Sequence, residues 1–228
     1  MKKALIFLSL MILGALVFIL KLPSVSHLKT TNPTKTIYMD GKIEQEWIPL
    51  SQVSPYFIEA VLFSEDIDFY DHHGLSWRKI KLSYLINRSA KRVVHGGSTI
   101  TQQVAKNLFL SSERSLFRKF KEAIIALMLE KVLSKERILE IYMNIMELGP
   151  GVFGIESASQ YWFQCSAKEL TPQQAINIAF IASDPKRRNP LHPTPYFKNM
   201  CNYVLTILAG KGMITHEEMF SSLYLPKS

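Results

Sequence analysis

The stretch FSEDIDFYDHHG, residues 63–74, gathers four carboxylates (Glu65, Asp66, Asp68, Asp71) and two adjacent histidines (His72, His73). Side chains of these types could hold a metal, form a solvated acidic turn, or carry acid/base chemistry. Metal fits worst. A calcium loop of the EF-hand kind wants oxygen ligands at alternate positions and glycine at the sixth. Counting from Asp66, the fifth position is Tyr70 and the sixth is Asp71. Neighbouring histidines also lack the three- or four-residue spacing of helical ligands, so no dedicated metal site is expected. The residues leave the other two readings open. Glu65 follows the apolar run Ala60-Val61-Leu62-Phe63 near an expected helix end. There the helix dipole and partial burial both disfavour a charged carboxylate, which suits a general base. An acidic cluster is equally an ordinary surface turn.

Two further stretches bear on the choice. In GGSTITQQVAKN, residues 96–107, Ile100, Val104 and Leu108 recur every fourth residue and predict a helix. Ser98, Thr99, Gln102, Gln103, Lys106 and Asn107 fall away from that stripe, and glycines lead into a helix N-terminus, where free N–H groups favour anions. Alone this is a weak phosphate signal, without the GK[ST] of a P-loop, and a polar surface helix explains it as well. In RSLFRKFKEAIIALMLE, residues 114–130, the apolar stripe is Leu116, Phe117, Phe120, Ile124 and Leu127. Arg118 and Glu122 lie nearly opposite it, four residues apart. They read either as an exposed ion pair worth a few tenths of a kcal/mol or as a cleft wall with a second carboxylate among the cations Arg114, Arg118 and Lys119.

These side chains need helices to position them. Ser54-Pro55 predicts a helix start running to about Ser64. Ser134 caps a helix expected to end at Gly149, and Thr171-Pro172 opens QQAINIAFIA, apolar nearly all round and therefore central. Thr215 and Glu218 make a capping box for the last helix. TIYMDGKIEQEWIPL, around Asp40-Gly41, reads as a short β-hairpin. Cys165 and Cys201 are the only cysteines, and nothing in their spacing pairs them or makes a zinc site.

The chain has 228 residues, 47% hydrophobic, with a net charge of +8. That suits one well-filled domain facing nucleic acid, an anionic membrane or a phosphorylated substrate. Lys2 and Lys3 precede an uncharged apolar run, Ala4 to Leu20, closed by Lys21. Residues 1–21 are expected to be a cytoplasmic tip and a single transmembrane helix, with everything after Lys21 outside the cytoplasm. Ser24-Val25-Ser26 offers a weak cleavage site as the alternative. Residues 22–35 read as a linker and residues 36–228 as the domain.

Taken in order, the motifs resemble the peptidoglycan glycosyltransferases, specifically the monofunctional biosynthetic type. EDxxFxxHxG is matched by Glu65-Asp66, Phe69, His72 and Gly74, and GxSTITQQxxKN from Gly96 to Asn107. RKxxExxxAxxLE is matched by Arg118-Lys119, Glu122, Ala126 and Leu129-Glu130. A fourth motif is matched by Lys135, Ile138-Leu139, Tyr142, Asn144, Gly149, Gly151, Gly154 and Tyr161-Trp162-Phe163. The fifth is looser, with Gln174 at its acidic position and SDPKRRNP as its proline segment. The resemblance covers residues 36–197.

It implies a mainly α, lysozyme-like, two-lobed fold behind the membrane helix, with residues 75–86 (LSWRKIKLSYLI) in a mobile part near the bilayer. Trp77, Arg78, Lys79 and Lys81 suit such an interfacial segment. The implied reaction is polymerisation of lipid II into linear glycan with inversion and loss of polyprenyl pyrophosphate. Glu65 would be the base and Glu122 the second important carboxylate. Asp66, Phe69, His72 and Gly74 would shape the loop. Ser98, Thr99, Gln102, Gln103, Lys106, Asn107, Arg114, Arg118, Lys119 and Asn144 would bind substrate. No cofactor is obligatory, and a divalent cation such as Mg2+ near the pyrophosphate stays open. Partners are lipid II, the growing glycan, membrane lipid and other wall-synthesis or division proteins, not nucleic acid. The expected place is the bacterial inner membrane with the domain extracytoplasmic. No transpeptidase activity is expected. The rivals are a peptidoglycan-cleaving lysozyme-like enzyme and a non-catalytic wall-synthesis scaffold.

Overall fold

 A computed structural model describes residues 22–33, 46–92, 96–111, 113 and 115–225 of the chain. The expected membrane helix, the Asp40-Gly41 hairpin and Arg114 lie outside them. Among the described residues no helix is long and apolar enough to cross a membrane.

The architecture is mainly helical. In chain order the helices are α1 (Pro55–Glu65), α2 (Trp77–Ala90), α3 (Ile100–Phe109), α4 (Leu116–Val132), α5 (Lys135–Ile145), α6 (Ile155–Phe163), α7 (Pro172–Ile181), α8 (Pro195–Gly210) and α9 (His216–Ser222). Two packing groups emerge. α1 and α8 pack on α7, with α9 against α8, while α4 and α5 pack on α3; α6 joins the groups through α5 and α7. α7 is buried continuously from Ala175 to Ile181, as its all-round apolar sequence requires.

Most helix starts follow their caps. The Ser134 hydroxyl accepts from Arg137 N–H, and Thr215 and Glu218 form their reciprocal box. Gln174 makes the same box with Thr171, so an amide at this position does the capping work that a carboxylate would. Ser54 is the exception: its hydroxyl donates to Leu170 O instead of capping α1. α5 also stops short of Gly149. Met146 turns extended, and an isolated antiparallel bridge between Glu147 and Phe153 reverses the chain into Gly154. Gly154 has φ +81°, and a Cβ there would sit 2.8 Å from Asn144 O. Gly154→Ala is therefore expected to lower stability by about 2–4 kcal/mol, read as a drop in urea midpoint with an unchanged slope.

α4 packs with an unexpected face. Glu122, Ile125, Ala126 and Leu129 are buried, while Leu116 is 91% exposed and Phe117, Phe120 and Leu127 are exposed too. The apolar stripe points outward and a carboxylate points in. α2 is likewise sparsely packed: Ser83 is its one buried residue, and Trp77 (75% exposed), Ile80, Leu82, Tyr84 and Leu85 face outward. Both cysteines are free thiols; burial pushes Cys201 up to about 12, so it stays protonated.

Candidate active site

The acidic stretch begins where α1 ends. Glu65 is the last residue of α1 and Asp66 its C-cap. Asp66 is buried, and its Oδ2 accepts from Ile100 N–H at 2.8 Å and from His72 Nε2 at 3.0 Å. His72 Nδ1 accepts from Gly74 N–H, which assigns the ring proton to Nε2. Gly74 has φ +88°, and a Cβ there would crowd the backbone of Ala126; its carbonyl accepts from the Thr99 hydroxyl at 2.7 Å. Phe69 is fully buried beneath the turn. Asp66, Phe69, His72 and Gly74 thus build the platform that aims Glu65.

The N-terminus of α3 does not offer the free N–H groups that its glycines suggested. Asp66 takes the Ile100 N–H, and Thr99 with Gln102 closes a capping box. The anion at this helix end belongs to the chain itself. Thr99 and Gln102 are consequently buried caps rather than cleft walls. Asn144 is also buried, its amide exchanging hydrogen bonds with the backbone of Ile48 and donating to Glu140 O. That clamps the segment before α1 to α5 and leaves Asn144 no part in the cleft lining. Asn107 follows Lys106 on α3 and does not line the cleft either.

One cleft of about 770 Å³ brings together Glu65, Ser98, Gln103, Lys106 and Glu122. Gln103 Nε2 donates to Glu65 Oε2 at 2.8 Å, and Gln103 Oε1 accepts from the Tyr142 hydroxyl at 3.2 Å. Burial pushes the Tyr142 phenol well above its ordinary value, with the Glu65 and Asp66 charges adding to the rise. Tyr142 therefore remains a donor and fixes which end of the Gln103 amide faces Glu65. Tyr142→Phe is expected to cost that orientation about 1 kcal/mol, roughly a fivefold fall in turnover, measured as initial rate at saturating substrate.

Across the cleft, Glu122 is buried among cations. Its Oε2 accepts from Arg118 at 2.7 Å and its Oε1 from Lys119, which also donates to Ser98 Oγ at 2.7 Å. The exposed ion pair that the helix pattern allowed is instead a buried network, because α4 is rotated with its polar face inward. The far wall comes from α7, α8 and the segment between them: Phe180, Ser183, Arg188, Tyr196 and Phe197. Arg188 donates to Phe180 O at 2.9 Å and lies over the Phe197 ring at 4.4 Å. Sequence reasoning missed Tyr142 and Arg188, and it read Lys79, which lines the cleft, as part of an interfacial segment. Tyr142 stood in a motif and Arg188 in the arginine pair of SDPKRRNP.

Comparison with known proteins adds independent findings. A family model described as Transglycosylase matches residues 31–209. The biosynthetic peptidoglycan transglycosylase of Alcanivorax borkumensis is 42% identical over 193 residues, covering 82% of this chain and 79% of that one. Its namesake from Nitrosomonas eutropha is 36% identical over 196 residues, covering 81% and 80%. The crystal structure of Penicillin-Binding Protein 1A from Haemophilus influenzae aligns with a TM-score of 0.41 at 20% identity, over 81% of this chain and 18% of that one. That likeness is too slight to bear on fold or function.

Proposed function

Because the chain belongs to the transglycosylase family, we propose that it polymerises lipid II into linear peptidoglycan glycan at the outer face of the cytoplasmic membrane. The observation that carries this reading is the pairing within one cleft. Glu65 is held through Oε2 by Gln103, and opposite it Glu122 gathers Arg118 and Lys119.

In the reaction, Glu65 takes the proton of the acceptor's 4-hydroxyl. That oxygen bonds to the donor's anomeric carbon from the face opposite the leaving group. The carbon–oxygen bond to polyprenyl pyrophosphate breaks, with inversion. A sugar hydroxyl needs such a base within hydrogen-bond reach. Charge growing on the pyrophosphate needs preorganised cations; Lys106, which lines the cleft, and Arg118 and Lys119, which flank it through Glu122, would supply them. Each Glu122 oxygen holds a protein cation, so in this reading the carboxylate orients Arg118 and Lys119. These cations favour the polymerase over a lysozyme-like hydrolase, whose reaction releases no pyrophosphate.

A lysozyme-like helical fold fits this arrangement. The outward apolar residues of α2 and α4, with Arg78, Lys81 and Lys121 among them, suit contact with the bilayer that holds both substrates. Residues 1–21 would anchor the chain there. The test is incubation of the full chain in detergent with purified lipid II, with polymeric glycan as a second substrate. Growth of glycan from lipid II is expected. Shortening of preformed glycan without any growth would replace the polymerase by a hydrolase.

A further inference from the structure

We infer that Lys79 is a positioning residue for the base: its ammonium ties the end of α1, which carries Glu65, to the start of α3, which carries Gln103. The inference rests on the reading of Glu65 as the base.

Lys79 Nζ donates to the backbone carbonyls of Glu65 and of Ser98, the latter at 2.5 Å, and stands 3.7 Å from Asp66 Oδ1. The Glu65 carbonyl is one of those at a helix end that lack an intrahelical donor. The Ser98 carbonyl lies immediately before Thr99, the N-cap of α3. Together with the hydrogen bond from Ile100 N–H to Asp66, this side chain sets the offset between the two helices whose side chains meet in the Glu65–Gln103 hydrogen bond. Asp66 Oδ1 is buried without a hydrogen-bond partner, and the Lys79 ammonium is the cation that offsets it. Lys79 also lines the cleft, but its ammonium is engaged by two carbonyls and faces Asp66. The role assigned to it is therefore placement, and the KM measurement below separates that from substrate binding.

Two observations support a functional reading over simple packing. Among the described residues, α2 meets the body at Ser83, which lies against Gly97, and at Arg78, which pairs with Asp68; Lys79 adds the contact that reaches Glu65 itself. Burial also pulls the Lys79 amine below its ordinary value, despite the opposing charges of Asp66, Glu65 and Asp68. Its carboxylate neighbours include the base and the C-cap of α1, so loss of the charge acts at the end of that helix.

The experiment measures kcat and KM for lipid II with the full chain in detergent, for wild type, Lys79→Met and Lys79→Arg. Lys79→Met is expected to lower kcat about thirtyfold through misplacement of the base, with KM held within about twofold. Arginine should restore most of the loss. Activity of the wild type should fall as rising pH removes the Lys79 proton, below the ordinary lysine range. Lys79→Arg should move that limb upward. The charged groups facing Lys79 are Glu65, Asp66 and Asp68 beside α1, and Lys119 and Glu122 across Ser98. A raised KM with kcat retained would make Lys79 a substrate ligand and overturn the inference, as would an unchanged kcat. If Lys79→Met does not fold, an alkaline limb unmoved in Lys79→Arg overturns it. Absence of polymer from the wild type would overturn the functional reading and this inference together; polymer with unaffected variants would overturn this inference alone.

Discussion

Glu65→Gln is expected to reduce the rate of lipid II polymerisation about a thousandfold or more while leaving the fold intact. Glutamine fills the same volume and its carbonyl can still accept from Gln103, so the 2.8 Å contact has a neutral replacement. What disappears is the proton acceptor. General-base catalysis by a positioned side chain is worth about a hundred- to ten-thousandfold, and a sugar hydroxyl has no other carboxylate in this cleft to use: Glu122 is occupied by Arg118 and Lys119, and Asp66 is buried under Ile100 and His72. Melting temperature should match the wild type, and binding of lipid II, measured by its protection of the protein against unfolding, should persist. A folded Glu65→Gln that still polymerises at near the wild-type rate would show that another group takes the proton.

Glu122→Gln is expected to act on both stability and rate, which separates it from Glu65→Gln. Glu122 is 1% exposed and is the shared counter-charge of two cations. Breaking a buried pair leaves uncompensated charge and costs about 3–5 kcal/mol. Lys119 is partly open to solvent, which screens its share, so a loss of about 2–3 kcal/mol is expected in urea unfolding. Without Glu122, Arg118 and Lys119 repel each other and lose the geometry in which they would meet the pyrophosphate. Removing preorganised stabilisation of this kind costs about a hundredfold or more in turnover. High salt should recover part of the stability but little of the rate, since screening softens repulsion without restoring positions. A Glu122→Gln variant as active as wild type would mean that the two cations take no part in the reaction.

The local rules were legible from the residues. Caps at Ser134, Thr171 and Thr215 start their helices, and the all-round apolar α7 lies in the core. The match of Glu65, Asp66, His72 and Gly74 to the first motif of the family implied a shaped turn, and the order of the motifs pointed to the family. Local sequence could not show which face of a helix turns inward. The periodicity of α4 marks an apolar stripe and a polar stripe. Only packing against α3 decided that Glu122, Ile125, Ala126 and Leu129 go inside while Leu116, Phe117 and Phe120 go out. In the same way Lys79 sits on a helix that reads as a basic surface segment, yet its long stem carries the ammonium to carbonyls on two other helices. Thr99 and Gln102, polar and apparently free, are consumed by the cap they form. Hydrogen-bond partners and burial depend on what lies across from a residue in space, and that information enters only when distant segments pack together. The sequence by itself determined most helix starts and the kinship of the chain. The tertiary structure alone decided which polar groups face the cleft, because an ion or amide is buried only where another element supplies its partner.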